Sequence, residues 1–387
     1  MKKLAVITTH PIQYNAPMFA LLAARGNVKV KVFYTWGDSV LNNKYDPGFG
    51  KNITWDIPLL EGYEFSFIQN IAADPGSHHF RGIDNPTLVA EIKNWKADAI
   101  LVYGWNFKSH LKVLRHFKGK KTILFRGDSN LLDENPGFSI RKLFRKILLK
   151  WVFLHIDVAL YVGKANKAYY LKFGVQERQL KFAPHAVDNA RFISGTKNNF
   201  RQQLGIPENM VIFLFAGKFE KKKNPGLLIN AFMKMNNPEA CLFLVGNGEL
   251  EGDLKQKVNS FNSDVKSRIH FIDFKNQQSM PGIYKSANVF VLPSRGPGET
   301  WGLAVNEAMA SGLAVLVSDK CGCSRDLVIE NENGYTFRSE DIEDLMGKME
   351  KIMLNKDYLS FMGAASQTKI SNWTFDKICE AIEDTIK

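Results

Sequence analysis

The chain has 387 residues, of which 45% are hydrophobic and 23% charged; this composition is typical of a soluble globular protein and excludes a disordered or fibrous one. Its length exceeds what one ordinary hydrophobic core accommodates and predicts two domains. The net charge of +12 favours an anionic partner: nucleic acid, an acidic membrane surface or a phosphorylated substrate.

Neither a membrane span nor an export signal is expected. No apolar run reaches the roughly 18 residues that a transmembrane helix needs. Residues 1–10 lack the long apolar region and the cleavage site of a signal peptide. The four cysteines are too few and too scattered for a disulfide framework, and the pair Cys321 and Cys323 has no second pair nearby to complete a metal site. We therefore expect a cytoplasmic protein.

The first half of the chain alternates short β-rich runs with helical segments. Strands are predicted at residues 4–8, 28–34, 99–103, 122–125 and 157–162, and a first helix at 18–24. Such alternation predicts an α/β domain built on a parallel, doubly wound sheet.

The same pattern restarts after Phe192, beyond a polar linker at residues 194–199. Strands are predicted at 211–216, 241–245, 269–272, 289–292 and 314–317, with helices at 227–233 and 373–386. Two Rossmann-like units therefore lie in tandem. Ligands of such sheets bind at the carboxyl ends of the strands, and the cleft between two domains is the expected active site.

One strand of the second unit ends at Gly217 and is followed by a lysine-rich stretch that includes Lys218 and Lys223. Glycine allows a ligand to approach the backbone, and lysine is a compact charge that suits phosphate. A solvated basic loop is the alternative interpretation. The position at the carboxyl end of a strand favours phosphate binding.

Residues 294–312 form the most informative segment, a Gly/Pro loop that continues into a helix of small residues. Thr300 is predicted to cap this helix, which leaves the N–H groups around residues 298–301 for an anion, and Gly312 is predicted to end it. Glu299 and Glu307 are separated by seven residues. Taken alone, each has a structural explanation: Glu299 as a loop carboxylate near a helix dipole, and Glu307 as a partly exposed helix residue.

Together these residues resemble the family-4 retaining glycosyltransferases of the GT-B fold. The resemblance covers roughly residues 160–340 and rests on short motifs spread along this region. They are Ala183-Pro184-His185-Ala186-Val187-Asp188 with Phe192, Gly217-Lys218-Phe219 with Lys223, Gly246-Asn247-Gly248, the Glu299–Glu307 pair, Ser318-Asp319, Gly322, Glu330 and Asn333-Gly334.

The resemblance implies a role for each matched residue. Lys218 and Lys223 would hold the diphosphate of a nucleotide sugar, although the family usually has arginine at the first position. Glu299 would face the donor sugar, and Glu307 would hold the ribose hydroxyls. The remaining donor-binding positions implied are Gly217, Gly246, Gly298, Thr300, Trp301, Gly302 and Leu303.

The resemblance also implies the domain organisation. Two Rossmann-like domains would face each other across a cleft, with an acceptor domain at residues 1–190 and a donor domain at 191–370. A C-terminal helix at 371–387 would cross back to the first domain.

The N-terminal half resembles the family less closely. The loop after the first strand lacks the family's glycine pair but places His10, Gln13 and Tyr14 at a carboxyl end. Where many members have a His-Asp pair, this chain has Arg126-Gly127-Asp128-Ser129. Asp128 is assigned to catalysis and Arg126 to donor or acceptor contact, the alternative being a turn that Asp128 caps. Tyr103 and Trp105 are assigned to an acceptor wall, which core packing explains almost as well.

Residues 138–151 form an amphipathic basic segment, and a second basic cluster lies at residues 108–121. Basic amphipathic helices are typical of contact with anionic membrane surfaces. An ordinary surface helix with one face in the core is the alternative.

The function that these features predict is the retaining transfer of a sugar from a UDP- or GDP-sugar to a hydroxyl of a glycan or lipid-linked saccharide, in surface polysaccharide assembly at the inner face of the membrane. UDP or GDP would be the product. No cofactor and no metal ion are expected, since the chain has no Asp-x-Asp motif. The alternatives are transfer to DNA or protein, a non-catalytic nucleic-acid-binding protein, and an inactive scaffold. The base, the sugar and the acceptor stay open.

Overall fold

A computed structural model of the protein describes residues 1–38, 44–46, 48–134, 137, 139–196 and 200–387. The chain forms two compact units. The first comprises Met1–Lys44, Ile57–His185 and Phe375–Lys387, and the second comprises Tyr45–Asp56 and Ala186–Thr374. Residues 197–199 of the predicted linker and Phe138 of the predicted basic segment lie outside the described residues. The functional domain boundaries at 190 and 370 stay predictions.

The strands follow one another along the chain as β1 (Lys2–Thr8), β2 (Val28–Tyr34), β3 (Lys44–Asp46), β4 (Lys51–Ile53), β5 (Glu64–Phe67), β6 (Ala99–Tyr103), β7 (Thr122–Arg126), β8 (Val158–Tyr161), β9 (Leu180–Phe182), β10 (Val211–Ala216), β11 (Ala240–Val245), β12 (Ile269–Ile272), β13 (Val289–Leu292), β14 (Ala314–Ser318) and β15 (Gly334–Phe337).

The α-helices are α1 (Ala16–Ala24), α2 (Leu88–Asn94), α3 (Lys108–Phe117), α4 (Ile140–Phe153), α5 (Lys164–Lys172), α6 (Asn189–Ser194), α7 (Phe200–Gln203), α8 (Pro225–Met235), α9 (Glu251–Asn259), α10 (Ser263–Ser267), α11 (Met280–Lys285), α12 (Leu303–Ala310), α13 (Ser324–Leu327), α14 (Ile342–Leu354), α15 (Leu359–Ile370) and α16 (Phe375–Ile386).

The first unit is built on a seven-stranded sheet in the order β5-β2-β1-β6-β7-β8-β9. All neighbouring strands run parallel. The interior strand β1 buries Leu4, Ala5, Val6 and Ile7 completely, as expected of a parallel sheet that helices cover on both faces. Strands β2 and β6 have the bounds that the sequence predicts, whereas the edge strands β5 and β9 were not predicted.

The second unit is built on a six-stranded parallel sheet in the order β12-β11-β10-β13-β14-β15. Its central strand β10 is buried at every position. The bounds of β10, β12 and β13 are as predicted, because each is an apolar run that a turn residue or a polar stretch ends. These two sheets confirm the predicted α/β class with two Rossmann-like domains.

Helix α16 belongs to the first unit and packs against α1. The Arg25 guanidinium, just after α1, donates to Glu383 Oε1 and to Asp376 Oδ1 at 2.9 Å each. The opposite face of α16 buries Ile378 and Ile382. Paired charges and an apolar face therefore both attach this helix to the unit that begins the chain.

A short excursion of the chain joins the second unit before that unit's own sheet begins. Strands β3 and β4 pair in a two-stranded sheet, and Tyr45–Asp56 is part of the second unit. Nothing in the sequence pattern predicted this excursion. Among the helices described, none is both long enough and apolar enough to cross a membrane.

Candidate functional site

At the carboxyl ends of β10 and β11, the backbones of two glycines lie close together. A Cβ atom added to Gly246, which follows β11, would lie 2.0 Å from the carbonyl oxygen of Gly217, which follows β10. Gly246 also has a φ of +136°, which L side chains rarely adopt. Gly246 therefore requires the close backbone approach that only glycine allows, whereas a Cβ at Gly217 would make ordinary contact with the ring of Phe215, at 3.6 Å.

A second loop, residues 294–302 after β13, is held from below by the segment Cys321-Gly322-Cys323. The Gly322 N–H donates to the carbonyl of Glu299 at 3.2 Å, and the Cys323 N–H donates to that of Trp301 at 3.1 Å. A Cβ at Gly322 would lie 1.8 Å from the Thr300 oxygen. The loop is therefore fixed by direct backbone contact.

Both cysteines of that segment are fully buried, and burial raises the pKa of each thiol well above its ordinary value. Buried thiols of this kind are neutral and unreactive. The C-x-C pair therefore packs beneath the loop.

This loop presents a carboxylate to a lysine from the neighbouring strand end. Lys223 Nζ lies 2.5 Å from Glu299 Oε2, and Ser294 Oγ donates to the same oxygen at 2.9 Å. The exposed fractions of the two charged side chains are only 19% for Lys223 and 8% for Glu299. Two of the predicted site residues therefore form a buried ion pair.

The pKa of Lys223 shows how strongly the pair is coupled. Burial disfavours the ammonium form, but attraction by Glu299 and the hydrogen bond between the two outweigh burial and raise the pKa of Lys223. The lysine therefore stays charged in a place where an isolated ammonium would be costly.

Glu307 lies on α12, the helix that follows the loop, and is 4% exposed. Its Oε2 accepts a hydrogen bond from the hydroxyl of Tyr284 at 2.8 Å. The alternative of a partly exposed helix glutamate is therefore wrong. The sequence did not connect Tyr284 to the site, because this residue lies on α11, before β13, and no spacing rule relates it to α12.

Two details of the predicted loop need correction. Thr300 does not cap the helix: α12 begins at Leu303, and its N-cap is Gly302, with a φ of 102° and no side-chain cap. Trp301 is buried, and its indole Nε1 donates to Asn306 Oδ1 at 2.9 Å. Only the backbone of Trp301 is therefore left to contact a donor sugar nucleotide. Gly312 has a φ of +82° and comes directly after Ser311, the C-cap of this helix, so it lies at the helix end as predicted.

In the first unit, predicted site residues follow the carboxyl ends of neighbouring strands. His10 follows β1, and its Nδ1 lies 2.9 Å from Thr9 Oγ1; its ring also packs edge-on against Trp36. Gln13 and Tyr14 lie on the same loop and are partly exposed. Tyr103, the last residue of β6, has a buried hydroxyl without a hydrogen-bond partner in the part of the chain that the structure describes. Trp105 packs against the core of this unit.

Arg126 ends β7 and is buried. Its guanidinium donates to the carbonyls of Ala183 at 2.7 Å and Pro184 at 2.8 Å. These two hydrogen bonds position the loop after β9, which is a structural role that the sequence did not indicate.

By holding the loop after β9, Arg126 places His185, the residue after Pro184, near Asp128, which lies on the loop after β7. His185 Nε2 lies 3.8 Å from Asp128 Oδ2. Burial lowers the pKa of His185, although Asp128 opposes this effect. The sequence missed this histidine–aspartate pair because its members are 57 residues apart; the signal that could have found it is that each follows a strand of the same sheet.

Among the described residues, one group of side chains has metal-ligating character, and it lies on the loop between β5 and α2. Asp74 Oδ2 is 3.1 Å from His78 Nε2 and 3.2 Å from His79 Nε2. Asp74 and His78 are exposed.

Comparison with known proteins adds to this geometry. The family described as glycosyl transferases group 1 matches residues 196–369. The UDP-Gal:alpha-D-GlcNAc-diphosphoundecaprenol alpha-1,3-galactosyltransferase of Escherichia coli is 29% identical over 205 residues, 51% of each chain. The lipopolysaccharide 1,2-N-acetylglucosaminetransferase of Salmonella typhimurium is 24% identical over 230 residues, 56% of this chain and 60% of that protein. The chain thus spans about half the length of the curated relatives it matches.

Solved structures resemble the chain over its whole length. A sucrose-phosphate synthase of Thermosynechococcus elongatus has a TM-score of 0.72 at 18% identity, covering 99% of this chain and 98% of its own. Anabaena HepE, in complex with UDP and glucose, has a TM-score of 0.69 at 16% identity, covering 100% and 99%. At these identities the likeness shows the fold, which is the predicted GT-B class. Through residues 196–369, somewhat less than half of its length, the chain resembles the glycosyl transferases of group 1.

Proposed function

We propose that this protein is a retaining glycosyltransferase that moves a sugar from a UDP- or GDP-sugar to a hydroxyl of a glycan or lipid-linked saccharide. The observation that carries the proposal is the buried Lys223–Glu299 pair at a glycine-lined strand edge, with the buried Glu307 on the helix that follows. The Escherichia coli relative is named as a UDP-Gal transferase with a diphosphoundecaprenol-linked acceptor, which supports this choice of substrates.

The proposed chemistry follows from the charges that develop during transfer. The bond between the donor's anomeric carbon and the phosphate oxygen breaks, which leaves positive charge on the sugar ring and negative charge on the diphosphate. The acceptor oxygen forms a bond to the anomeric carbon on the face that the phosphate leaves. The acceptor's proton passes to an oxygen of the departing diphosphate.

In this proposal Lys218 and Lys223 stabilise the diphosphate, as fixed positive groups do most effectively in a water-poor site. Glu299 faces the donor sugar, and Glu307 holds the ribose hydroxyls. The loop at Gly298, Gly302 and Leu303 supplies backbone N–H groups. Within the first unit, Asp128 and the residues around it would contact the acceptor.

The test is nucleotide release across a panel of UDP- and GDP-sugars, with glycan and lipid-linked saccharides as acceptors. We expect turnover with one donor class and its loss, by about 100-fold or more, in Lys223→Ala and Glu307→Ala. Glu343→Ala, which removes an exposed carboxylate on α14, is the matched control. Absence of turnover and of nucleotide binding with every donor would overturn the proposal. An inverted anomer in the product would refute retention alone.

The same assay separates the alternatives. A nucleic-acid-binding protein that uses the +12 charge would bind DNA or RNA with an affinity that falls steeply with salt and is unaffected by Glu299→Gln. An enzyme that glycosylates DNA or protein would turn over donor only when that acceptor is added.

We also propose that α4 contacts an anionic membrane. Along this helix and the residue after it, large apolar side chains remain exposed at helical spacing: Ile140 at 67%, Phe144 at 68%, Ile147 at 57%, Trp151 at 38% and Leu154 at 70%. The buried face of α4 is a different one, formed by Leu149, Val152 and Phe153. An ordinary surface helix leaves no such second apolar stripe.

The charge beside this stripe indicates the partner. Arg141, Arg145, Lys146 and Lys150 are exposed on the same helix, and such basic residues are each worth about 1 kcal/mol at an anionic lipid surface. In this proposal a lipid-linked acceptor lies at the inner, cytoplasmic face of the membrane, and α4 would bring the enzyme to that membrane face.

Sedimentation with vesicles tests the contact. We expect binding to vesicles that contain phosphatidylglycerol, weaker binding at high salt, and none to phosphatidylcholine alone. Binding should be lost in Phe144→Ser/Ile147→Ser and retained in Lys377→Glu, a change of an exposed lysine on α16. Equal binding by both variants, or dimerisation in place of vesicle binding, would overturn this proposal.

A further inference from the structure

Residues 48–56, the larger part of the excursion, contact the loop that follows β12. The Asn276 side-chain amide donates to the carbonyl of Thr54 at 2.6 Å. The Gln278 side chain donates to the carbonyl of Asp56 at 2.6 Å, and its backbone N–H donates to the Asp56 carboxylate at 3.2 Å. The excursion is therefore fastened to the second unit by hydrogen bonds at its far end.

Its near end reaches the carboxyl ends of the sheet. The ring of Phe49 packs edge-to-face on that of Phe274, with centroids 4.8 Å apart. The Lys218 ammonium lies 5.0 Å from the centroid of the same Phe49 ring. One aromatic side chain thus contacts the lysine after β10 and an aromatic residue after β12.

Gly48 completes the contact with Lys218. A Cβ atom added to Gly48 would lie 2.6 Å from both Cδ and Nζ of Lys218 and 2.9 Å from its Cε. These atoms belong to the far end of a flexible side chain, so an alanine at this position would displace the lysine rather than strain the backbone. The lysine occupies the space that a side chain at Gly48 would need.

We propose that Gly48 and Phe49 are positioning residues for Lys218, which they hold at the carboxyl end of β10 for the diphosphate of the donor. This inference rests on the proposed function. Gly48 and Phe49 lie outside residues 196–369, where the family pattern matches, and outside every motif that the sequence indicated.

The physical reason lies in the side chain of lysine. Lysine carries a single charge on a long flexible stem and does not form the bidentate contacts that orient an arginine. An aromatic face attracts an ammonium. The contacts with Gly48 and Phe49 therefore limit the positions that the Lys218 ammonium can take.

Steady-state kinetics and thermal unfolding test the proposal on the full-length chain with its active donor. Phe49→Leu keeps the apolar volume and removes the aromatic face, so we expect kcat/KM for the donor to fall roughly 3- to 30-fold. Phe49→Tyr should restore it. Gly48→Ala should lower kcat/KM to a similar extent while the midpoint of thermal unfolding stays unchanged.

The background of Lys218→Met distinguishes positioning from general damage. If Gly48 and Phe49 act through the lysine, neither change should lower kcat/KM further once the lysine is gone. Gly252→Ala, at a helix position with open space around it, and Phe361→Leu, at an exposed aromatic, are matched controls with wild-type kinetics.

The outcomes separate this inference from the proposed function. If wild-type turnover depends on Lys218 but Gly48→Ala and Phe49→Leu behave like the wild type, the positioning role is wrong and the proposed function stands. Higher activity in Phe49→Leu would also overturn it, since the ring would then be withholding the lysine. If no donor is turned over, or turnover is unaffected by Lys218→Met and Lys223→Ala, the proposed donor site itself fails.

Discussion

The buried polar groups at and beside the candidate residues are paired differently in the two units. In the second unit the buried carboxylate Glu299 is paired with a lysine, and Glu307 accepts a hydrogen bond from a tyrosine. In the first unit His110 is fully buried as a neutral ring, and the Tyr103 hydroxyl is buried without a partner among the described residues. A fixed pair of charges suits a ligand whose charged part does not vary, such as the diphosphate of a nucleotide sugar. His110 has hydrogen-bond partners at both ring nitrogens, Thr35 Oγ1 and the Tyr103 carbonyl, each at 2.9 Å. The unsatisfied hydroxyl of Tyr103 suits a surface whose ligand supplies the missing contact.

The largest expected effect comes from breaking the ion pair of the second unit. Lys223→Met leaves Glu299 buried without its partner, so we expect activity to fall about 100- to 1,000-fold and the free energy of unfolding to fall by about 3 kcal/mol. Kinetics and denaturant unfolding measure the two effects.

A double variant separates stability from catalysis. Lys223→Met/Glu299→Gln removes both charges, and we expect it to regain most of the lost stability but none of the activity. Lys234→Met, which breaks an exposed pair with Glu343, is the control and should cost less than about 1 kcal/mol. Recovery of activity in the double variant would show that the charges serve folding only.

The first unit is expected to be the one that weakens in acid. Burial lowers the pKa of His110 to about 4, whereas an unfolded histidine titrates near 6.5. The unfolded state therefore binds the proton first. Stability is fully present above about pH 6.5 and is lost as the pH falls towards 4, by about 3 kcal/mol in total.

Hydrogen exchange at pH 7 and pH 4.5 measures this loss unit by unit. Protection should fall more in the first unit than in the second, where burial also lowers the pKa of His270 but leaves the ring partly exposed. His110→Gln should flatten the pH dependence of the first unit. Equal acid sensitivity of the two units, unchanged in this variant, would contradict the explanation.

A smaller effect tests the backbone contact at the strand ends of the second unit. Gly246→Ala places a methyl group against the Gly217 carbonyl, at a φ that alanine disfavours. We expect a loss of about 2 kcal/mol and weaker nucleotide binding. Gly252→Ala lies in open space on α9 and should be neutral or stabilising by about 0.5–1 kcal/mol. Calorimetry with UDP or GDP gives both quantities, and equal behaviour of the two variants would show that the close approach is unimportant.

The units also differ in how far the sequence predicted them. In the second unit β10 and β13 are apolar runs that a turn or a polar stretch ends, so their bounds and the residues that follow them were predictable, whereas β4 and β15 were not predicted. Tyr284 was not, because its contact with Glu307 depends on how two helices pack. In the first unit the pairing of Asp128 with His185 depends on Arg126, whose guanidinium holds the loop after β9. Likewise, no periodicity could predict that Gly48 and Phe49 pack against Lys218, since tertiary contacts alone bring them there.

The smallest expected effect concerns Tyr103, for which core packing and acceptor contact were both open. Burial raises the pKa of its hydroxyl to about 12, so the group is a neutral donor without a partner among the described residues. Tyr103→Phe removes an unsatisfied polar group and should raise the free energy of unfolding by about 1 kcal/mol or less. Tyr170→Phe should instead lower the free energy of unfolding, since the Tyr170 hydroxyl donates to the Gly127 carbonyl at 3.0 Å.

If the acceptor supplies the missing partner, Tyr103→Phe should also raise the acceptor KM about tenfold and leave the donor KM unchanged. A stabilised variant with an unchanged acceptor KM would assign Tyr103 to the core and remove it from the candidate acceptor site.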